Sequence, residues 1–345
     1  MTGPVPLSEV DPRRSIGITT TVPVEAVYAA GLTPIDLNNV FIASDDPEHL
    51  ILDAEQRGFP QNSCAWTKGV YGAIRRLGLK RVVAVVQGDC SSTHAMAEVL
   101  MADGVEVVPF SFPYEPGDSE FLENSLQAFC SALNTTRAEA EQWKARLDRA
   151  RAAAHRIDEL AWKENRVSGV DLHRWTISCS DFEGDPDRFE REAVRFAEKA
   201  VNGPIRAESL RLALIGIPPI CSHLFEFLEE RGARVVFDEV PRQFSMPFPS
   251  ADLCEQYRQY TYPYDVFRRI EDVLKEVRRR RVHGVIHYVQ SFCHRLIQDP
   301  LIRERLPLPV LTLEGDRPGP VDMRSETRIE AFLEMLADEQ RAGSS

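Results

Sequence analysis

Apolar residues in this chain follow two rhythms that take turns along its length: short continuous runs, and longer stretches with apolar positions at helical spacing. The runs 82–86, 105–110, 210–217, 234–238, 285–289 and 310–313 predict strands, with a shorter apolar run at 34–37. Between them the spacing predicts helices over 22–30, 64–77, 93–102, 186–201, 221–230, 264–280, 294–305 and 327–338. Punctuation supports these limits: Pro23 suits a first helical turn, and Gly31, Gly78, Gly104 and Gly232 stand where helices stop. Strand 82–86, helix 93–102 and strand 105–110 read as one right-handed unit.

From 119 to 165 Gly and Pro vanish, and Glu, Ala, Arg and Leu dominate. This predicts a helical connector broken near Asn134-Thr135-Thr136. The segment 240–264 is rich in Pro and aromatic residues with little periodicity, and reads as a long ordered loop or lid. The tail 341–345 is expected to fray. The division that results is an α/β domain over 14–134, a connector over 135–205 and a second α/β domain over 206–338.

The chain has 345 residues, enough for two or three sizeable cores. Its net charge of −12 gives no reason to expect nucleic acid as a partner. The densest basic run, Arg278-Arg279-Arg280-Arg281, follows Glu271, Asp272 and Glu276 and reads as a solvated helix C-terminus complementing the macrodipole. No apolar run reaches the ~18 residues of a membrane span, and residues 1–14 carry Glu9 and Asp11 without a signal-like apolar stretch. Seven Cys, an odd number, in such a chain point to a reducing cytoplasm, where cysteines bind metal or do redox work more often than they pair.

Two distant stretches end alike: Val86-Gln87-Gly88-Asp89-Cys90 and Val289-Gln290-Ser291-Phe292-Cys293. Each follows a strand-like run and precedes a helix-like stretch and a further run. A thiol is thereby placed at the carboxyl end of a strand, where ligands sit in open α/β sheets, and at a helix start, which favours thiolate. Cys64 opens a helix in a similar setting behind Asn62-Ser63. Three thiolates from separate loops fit a [4Fe–4S] cluster with one iron left open. Zinc would call for Cys and His at short spacing, which is missing. Cys130 and Cys254 read as small hydrophobes and Cys179 suits either role. Cys221, opening a predicted helix after a strand, is the candidate for a fourth ligand or a second cluster.

These residues resemble the 2-hydroxyacyl-CoA dehydratase superfamily, which includes benzoyl-CoA reductase subunits and double-cubane cluster proteins. The resemblance is carried by residues 22–34, with Pro23, Glu25 and Ala29-Ala30-Gly31, and by Cys64-Ala65-Trp66-Thr67-Lys68-Gly69, Gly88-Asp89-Cys90 and Ser291-Phe292-Cys293. A closing element spans 309–316 and 327–332, and the whole covers about 16–336. It implies two Rossmann-like parallel-sheet domains with a [4Fe–4S] cluster, or a double cubane, in the interdomain cleft on Cys64, Cys90 and Cys293. It also implies a homologous second subunit or homodimer, an acyl-CoA substrate and an ATP-dependent iron–sulfur activator. The activator supplies one low-potential electron that turns the thioester carbonyl into a ketyl radical, so that an unreactive β-proton and a hydroxyl can leave. A small-molecule reductase without CoA, or a subunit that only relays electrons, would use the same framework. No acid or base is matched securely. Glu25 is one candidate, although at a first helical turn a Glu more often complements the dipole, and His287 is another, although inside a strand it equally suits the core. Thr19 to Thr21 stand just before Glu25 as a helix cap or as partners of a thioester oxygen, and His294 follows Cys293.

Overall fold

The computed structural model describes residues 10–207 and 210–343. In chain order it runs β1 Ser15–Ile18, α1 Val24–Ala29, β2 Thr33–Asp36, α2 Leu37–Ile42, α3 Pro47–Arg57, α4 Ala65–Leu77, β3 Arg81–Gln87, α5 Ser91–Ala102 and β4 Glu106–Ser111. Helices α6 Ser119–Ala132, α7 Arg137–Trp162, α8 Gly169–Ile177 and α9 Pro186–Val201 follow. The second α/β region has β5 Leu210–Gly216, β6 Cys221–Ser222, α10 Leu224–Glu230, β7 Ala233–Asp238, α11 Glu239–Phe244, α12 Leu253–Gln259 and α13 Val266–Arg279. It ends with β8 Gly284–Gln290, α14 Asp299–Arg305, β9 Val310–Gly315, β10 Gly319–Pro320 and α15 Met323–Gly343.

Two four-stranded parallel sheets form the two domains, ordered β2-β1-β3-β4 and β7-β5-β8-β9. Counted within each sheet, the order is the same: second, first, third, fourth. The strand order therefore switches direction between the first and third strands of both sheets, which opens a crevice at their carboxyl ends. Cys90 follows the third strand of one sheet and Cys293 the third strand of the other. One face of the first sheet (Ile16, Ile18, Val83, Val85) is buried against α1, α6 and α7. The far face of the second sheet (Ala213, Ile215, Val236, Val285) is covered by α13 and α14. A third core joins Ile35, Phe41, Ile74 and Val82 of the first domain to Leu212, Leu214 and Ile286 of the second.

Several elements differ from the sequence expectation. Strand β1 and helices α2 and α3 were not expected: β1 is only four residues long, and Asp36, Asn38, Asn39, Asp45 and Asp46 give 36–47 the look of a loop. Those polar residues are caps, for Asp36 accepts from the Asn38 N–H and Asp46 from the His49 N–H. The segment 240–264 is ordered but is not simply a loop, because it contains α11 and α12, and Tyr257 and Tyr260 are fully buried. Cys221 does not open a helix; it lies in β6, paired with Gly319 of β10. The stretch after Cys293 begins as a 3₁₀ turn, His294–Gln298, before α14. The run 278–281 is an exposed helix end at Arg278, Arg279 and Arg281, but Arg280 departs from the expectation and is wholly buried between Asp158 and Glu276. Helix α15 continues through 341–343, and residues 344–345 of the expected fraying tail lie outside the described residues. So do residues 1–9 of the N-terminal stretch read for a signal.

Candidate functional site

Three loops meet at a cleft of about 870 Å³ that opens to solvent, and Cys64, Cys90 and Cys293 all line it. Each Cys is half-buried and stands as N-cap of the helical turn it precedes, with extended backbone (ψ 124°, 157° and 131°). None of the three makes a side-chain cap hydrogen bond to its own helical turn. Burial pushes the Cys64 thiol up, against the pull of the Thr67 and Trp66 backbone N–H groups, and Cys90 and Cys293 add to the rise. Burial likewise raises Cys293, opposed by the Arg295 N–H and guanidinium. Mutual repulsion of this kind requires thiols near one another, and the amide groups face where a thiolate charge would lie.

The repeated Val-Gln-x-x-Cys figure has a shared physical cause. The Gln87 amide donates to the Phe112 carbonyl (2.7 Å) and the Gln290 amide to the Asp316 carbonyl (2.6 Å). Both carbonyls lie one residue past the neighbouring strand, β4 or β9, so each Gln ties its Cys loop to the next loop along the sheet. The turn itself is made differently in the two copies. Gly88 takes φ +98°, and a Cβ there would meet Phe112 and Pro263 side chains at 2.9 Å. In the other loop the positive φ (+66°) falls on Phe292. The Cys64 loop is held by buried Lys68, whose ammonium donates to Glu55 (2.8 Å) and the Gln61 carbonyl (2.9 Å). Arg317, from the second domain, also binds Glu55 and Glu48.

Around the sulfurs the lining is mixed. Thr19, Asn38, Asn39 and Thr67 are polar, while Trp66, Met96, Ile177, Ile217 and Phe244 are apolar. The Thr93 hydroxyl stands 3.4 Å from the Cys90 sulfur and donates to Asp89 (2.9 Å). Arg295, 5% exposed, lies 4.3 Å over the Tyr262 ring and donates to the Tyr262 carbonyl (2.8 Å). It forms no ion pair among the described residues and gives the cleft a fixed positive charge beside Cys293. Asp36 also lines the cleft; burial raises its carboxyl, opposed by hydrogen bonds from Ser180 and Asn38. Behind it Asp181 accepts from the Asp36 N–H (2.8 Å), and burial together with the Asp36 charge pushes Asp181 up to about 7.

The other residues singled out in the sequence lie elsewhere. Glu25 is fully buried and held by Arg151 (2.7 Å), Gln256 (2.8 Å) and Tyr257 (2.8 Å), away from the cleft lining. His287 is also fully buried, with Nδ1 2.7 Å from Asp299. His294 lines the cleft, its pKa lowered by burial and by Arg295 and Arg269. Cys130, Cys179, Cys221 and Cys254 do not line it, and the Cys179 sulfur bonds back to the Trp175 carbonyl (3.5 Å). Asp36, Tyr262 and Arg295 were not singled out in the sequence. The polar Asp36-Leu37-Asn38-Asn39 after an apolar run was a signal for a capped strand-to-helix turn at a sheet's carboxyl edge. No comparable signal marks Tyr262. Among the described residues no three His, Cys, Asp or Glu side chains converge as ligands of a single metal ion. A cubane does not require that, because each thiolate binds a different iron.

Two identically ordered parallel sheets that direct cysteine-bearing loops into one cleft define an α/β protein with a thiol-lined interdomain site. The family follows from comparison with known proteins. The family model described as 2-hydroxyglutaryl-CoA dehydratase, D-component, matches residues 19–336, and the chain belongs to that family. It is thus a dehydratase-type enzymatic component. No curated protein matches the chain. Among the described residues no helix is long and apolar enough to cross a membrane.

Proposed function

We propose that this chain is the [4Fe–4S] subunit of a 2-hydroxyacyl-CoA dehydratase-type enzyme, with Cys64, Cys90 and Cys293 as cluster ligands. The carrying observation is that these three thiols, on loops far apart in sequence, line one cleft. The donor set fits the group: soft thiolates, amide N–H groups facing two of them, and a buried guanidinium to offset negative charge. When bound, such a cluster would pass on a low-potential electron received from the activator and offer an open iron as Lewis acid.

The chain's own residues do the rest. Trp66, Phe244, Ile177 and Ile217 keep the inner cleft dry, which favours an acyl chain and excludes water from reactive intermediates. Thr19, Asn38 and Asn39 offer donors and acceptors to the polar part of a substrate. Asp36, the cleft-lining member of the hydrogen-bonded Asp36–Asp181 pair, is placed to pass a proton to a departing hydroxyl. Glu25 and His287 serve as buried anchors in this reading. A homologous subunit and an ATP-dependent iron–sulfur activator complete the enzyme. A single cubane is favoured over a double one, because Cys179, Cys221 and Cys254 stay outside the cleft lining.

Iron and acid-labile sulfide, measured after anaerobic purification, test the proposal. About four of each per chain are expected. Protein that stays free of iron after anaerobic reconstitution would defeat the reading, and about eight of each would replace it with the double cubane.

A further inference from the structure

Two buried guanidiniums stand near enough to the Cys293 thiol to act on it, those of Arg269 and Arg295. Arg269 is already matched, because Glu239 holds it through both carboxylate oxygens at 2.8 and 2.9 Å. Most of its charge is cancelled before it reaches the cleft. Arg295 has no such partner. It lies in the 3₁₀ turn directly after Cys293, is 5% exposed and forms no ion pair among the described residues.

Uncharged contacts hold it in place. The guanidinium packs 4.3 Å over the Tyr262 ring, and its Nη2 donates to the Tyr262 carbonyl at 2.8 Å. Burial pushes the Tyr262 phenol up to about 12, so the ring brings no negative charge. Nε and Nη1 make no hydrogen bond among the described residues, yet neither is enclosed. They open on to the thiol cleft or the neighbouring cavity that Arg295 also lines. Asp89, the acid that shares both linings, feels this charge without pairing with it. It accepts instead from the Thr93 hydroxyl and the Cys90 N–H. A sequestered cation with unspent donors is costly in the empty cleft, and an added negative charge facing it offsets that cost.

We propose that Arg295 sets the reduction potential of the cleft's iron–sulfur cluster, its fixed guanidinium stabilising the extra negative charge of the reduced state. This rests on the cluster reading above, and adds to it the residue that tunes the cluster and the direction of the effect. The potential of such a cluster follows its net charge, the hydrogen bonds to its sulfurs and its exposure to solvent. Each added electron brings one more negative charge to the cleft, and an unpaired cation in a buried wall makes that addition easier. Arg269, already paired, and the exposed arginines, screened by solvent and salt, cannot do the same. Arg295 acts through the field it imposes on the thiolates and is a positioning residue, not a catalytic one.

Dye-mediated redox titration of the anaerobically reconstituted full chain, followed by electron paramagnetic resonance, tests this. Arg295→Gln keeps a donor for the Tyr262 carbonyl but carries no charge. It should lower the midpoint potential by about 59 mV or more, a tenfold change in the one-electron equilibrium. That shift should persist at high salt, because buried charges are screened little. Arg295→Lys should regain more than half of the loss, which a merely structural role would not give. The exposed Arg278→Met should leave the midpoint unchanged. Iron content and melting temperature are measured alongside, and if Arg295→Gln does not load, Arg295→Met carries the same test with the same expected shift. A parent chain that takes up no iron would overturn the cluster reading and this proposal together. Equal midpoints in the loaded parent and the loaded uncharged variants, or a shift that lysine does not reverse, would overturn this proposal alone.

Discussion

Gly88 and Phe292 occupy matching loops, yet the two turns place their left-handed residue at different positions. At Gly88 a side chain would face both strain and contact with Phe112 and Pro263. Gly88→Ala is therefore expected to cost about 1–3 kcal/mol of stability. It should also displace Cys90, which a fall in bound iron would report; an unchanged melting curve and full iron content would contradict the role given to the turn. The carboxyl pair behind the cleft gives a pH signature. With Asp181 raised to about 7 in the fold and about 3.9 when unfolded, the native state holds the extra proton between those values. Its contribution is thus fully present below the unfolded value and lost as pH rises through about 7. Asp36, raised by burial as well, acts in the same direction. Asp181→Asn should flatten the decline in melting temperature across pH 4 to 7, and an unaltered slope would count against the pair. At this scale the cysteines were legible, because a thiol beside strand-turn-helix punctuation has few places to go. Asp36, Tyr262 and Arg295 were not, because their place in the cleft depends on segments brought together only by the fold.

Among the elements, those with long periodic patterns matched their expectation, and short or polar ones did not. Strand β1 is buried along all four residues but too brief to show a period. Helices α11 and α12 were hidden by Pro and aromatic residues that are in fact packing surfaces: Phe112 meets Tyr257, Tyr260 and Tyr264. These helices bind the second half of the chain to the first. Glu25 of α1 accepts from Arg151 of α7 and from Gln256 and Tyr257 of α12, so one carboxylate joins three helices. Glu25→Ala leaves the buried Arg151 guanidinium with a single flanking acid, Asp148, and is expected to cost about 3–5 kcal/mol. Chemical denaturation measures this directly. A loss below about 1 kcal/mol would show that the carboxylate is not the anchor described here.

In the whole molecule, two sheets wired in the same order bring their corresponding edges to a shared cleft. This was partly legible, since the repeated Val-Gln-x-x-Cys figure already indicated two like modules. What the figure does, with each glutamine bonded to the loop beyond the adjacent strand, emerges only when the strands are side by side. The third thiol, Cys64, comes from a loop between helices, and its place depends on Lys68, Glu55 and Arg317 bridging the domains. The account rests on three sulfurs serving one cluster. Mössbauer spectroscopy of the ⁵⁷Fe-reconstituted chain tests this most directly. Three thiolate-ligated irons and one distinct iron should appear in about a three-to-one ratio, and the signal should vanish in Cys64→Ala, Cys90→Ala and Cys293→Ala but persist in Cys130→Ala. Four equivalent irons, or a spectrum that survives loss of any one of the three cysteines, would contradict it.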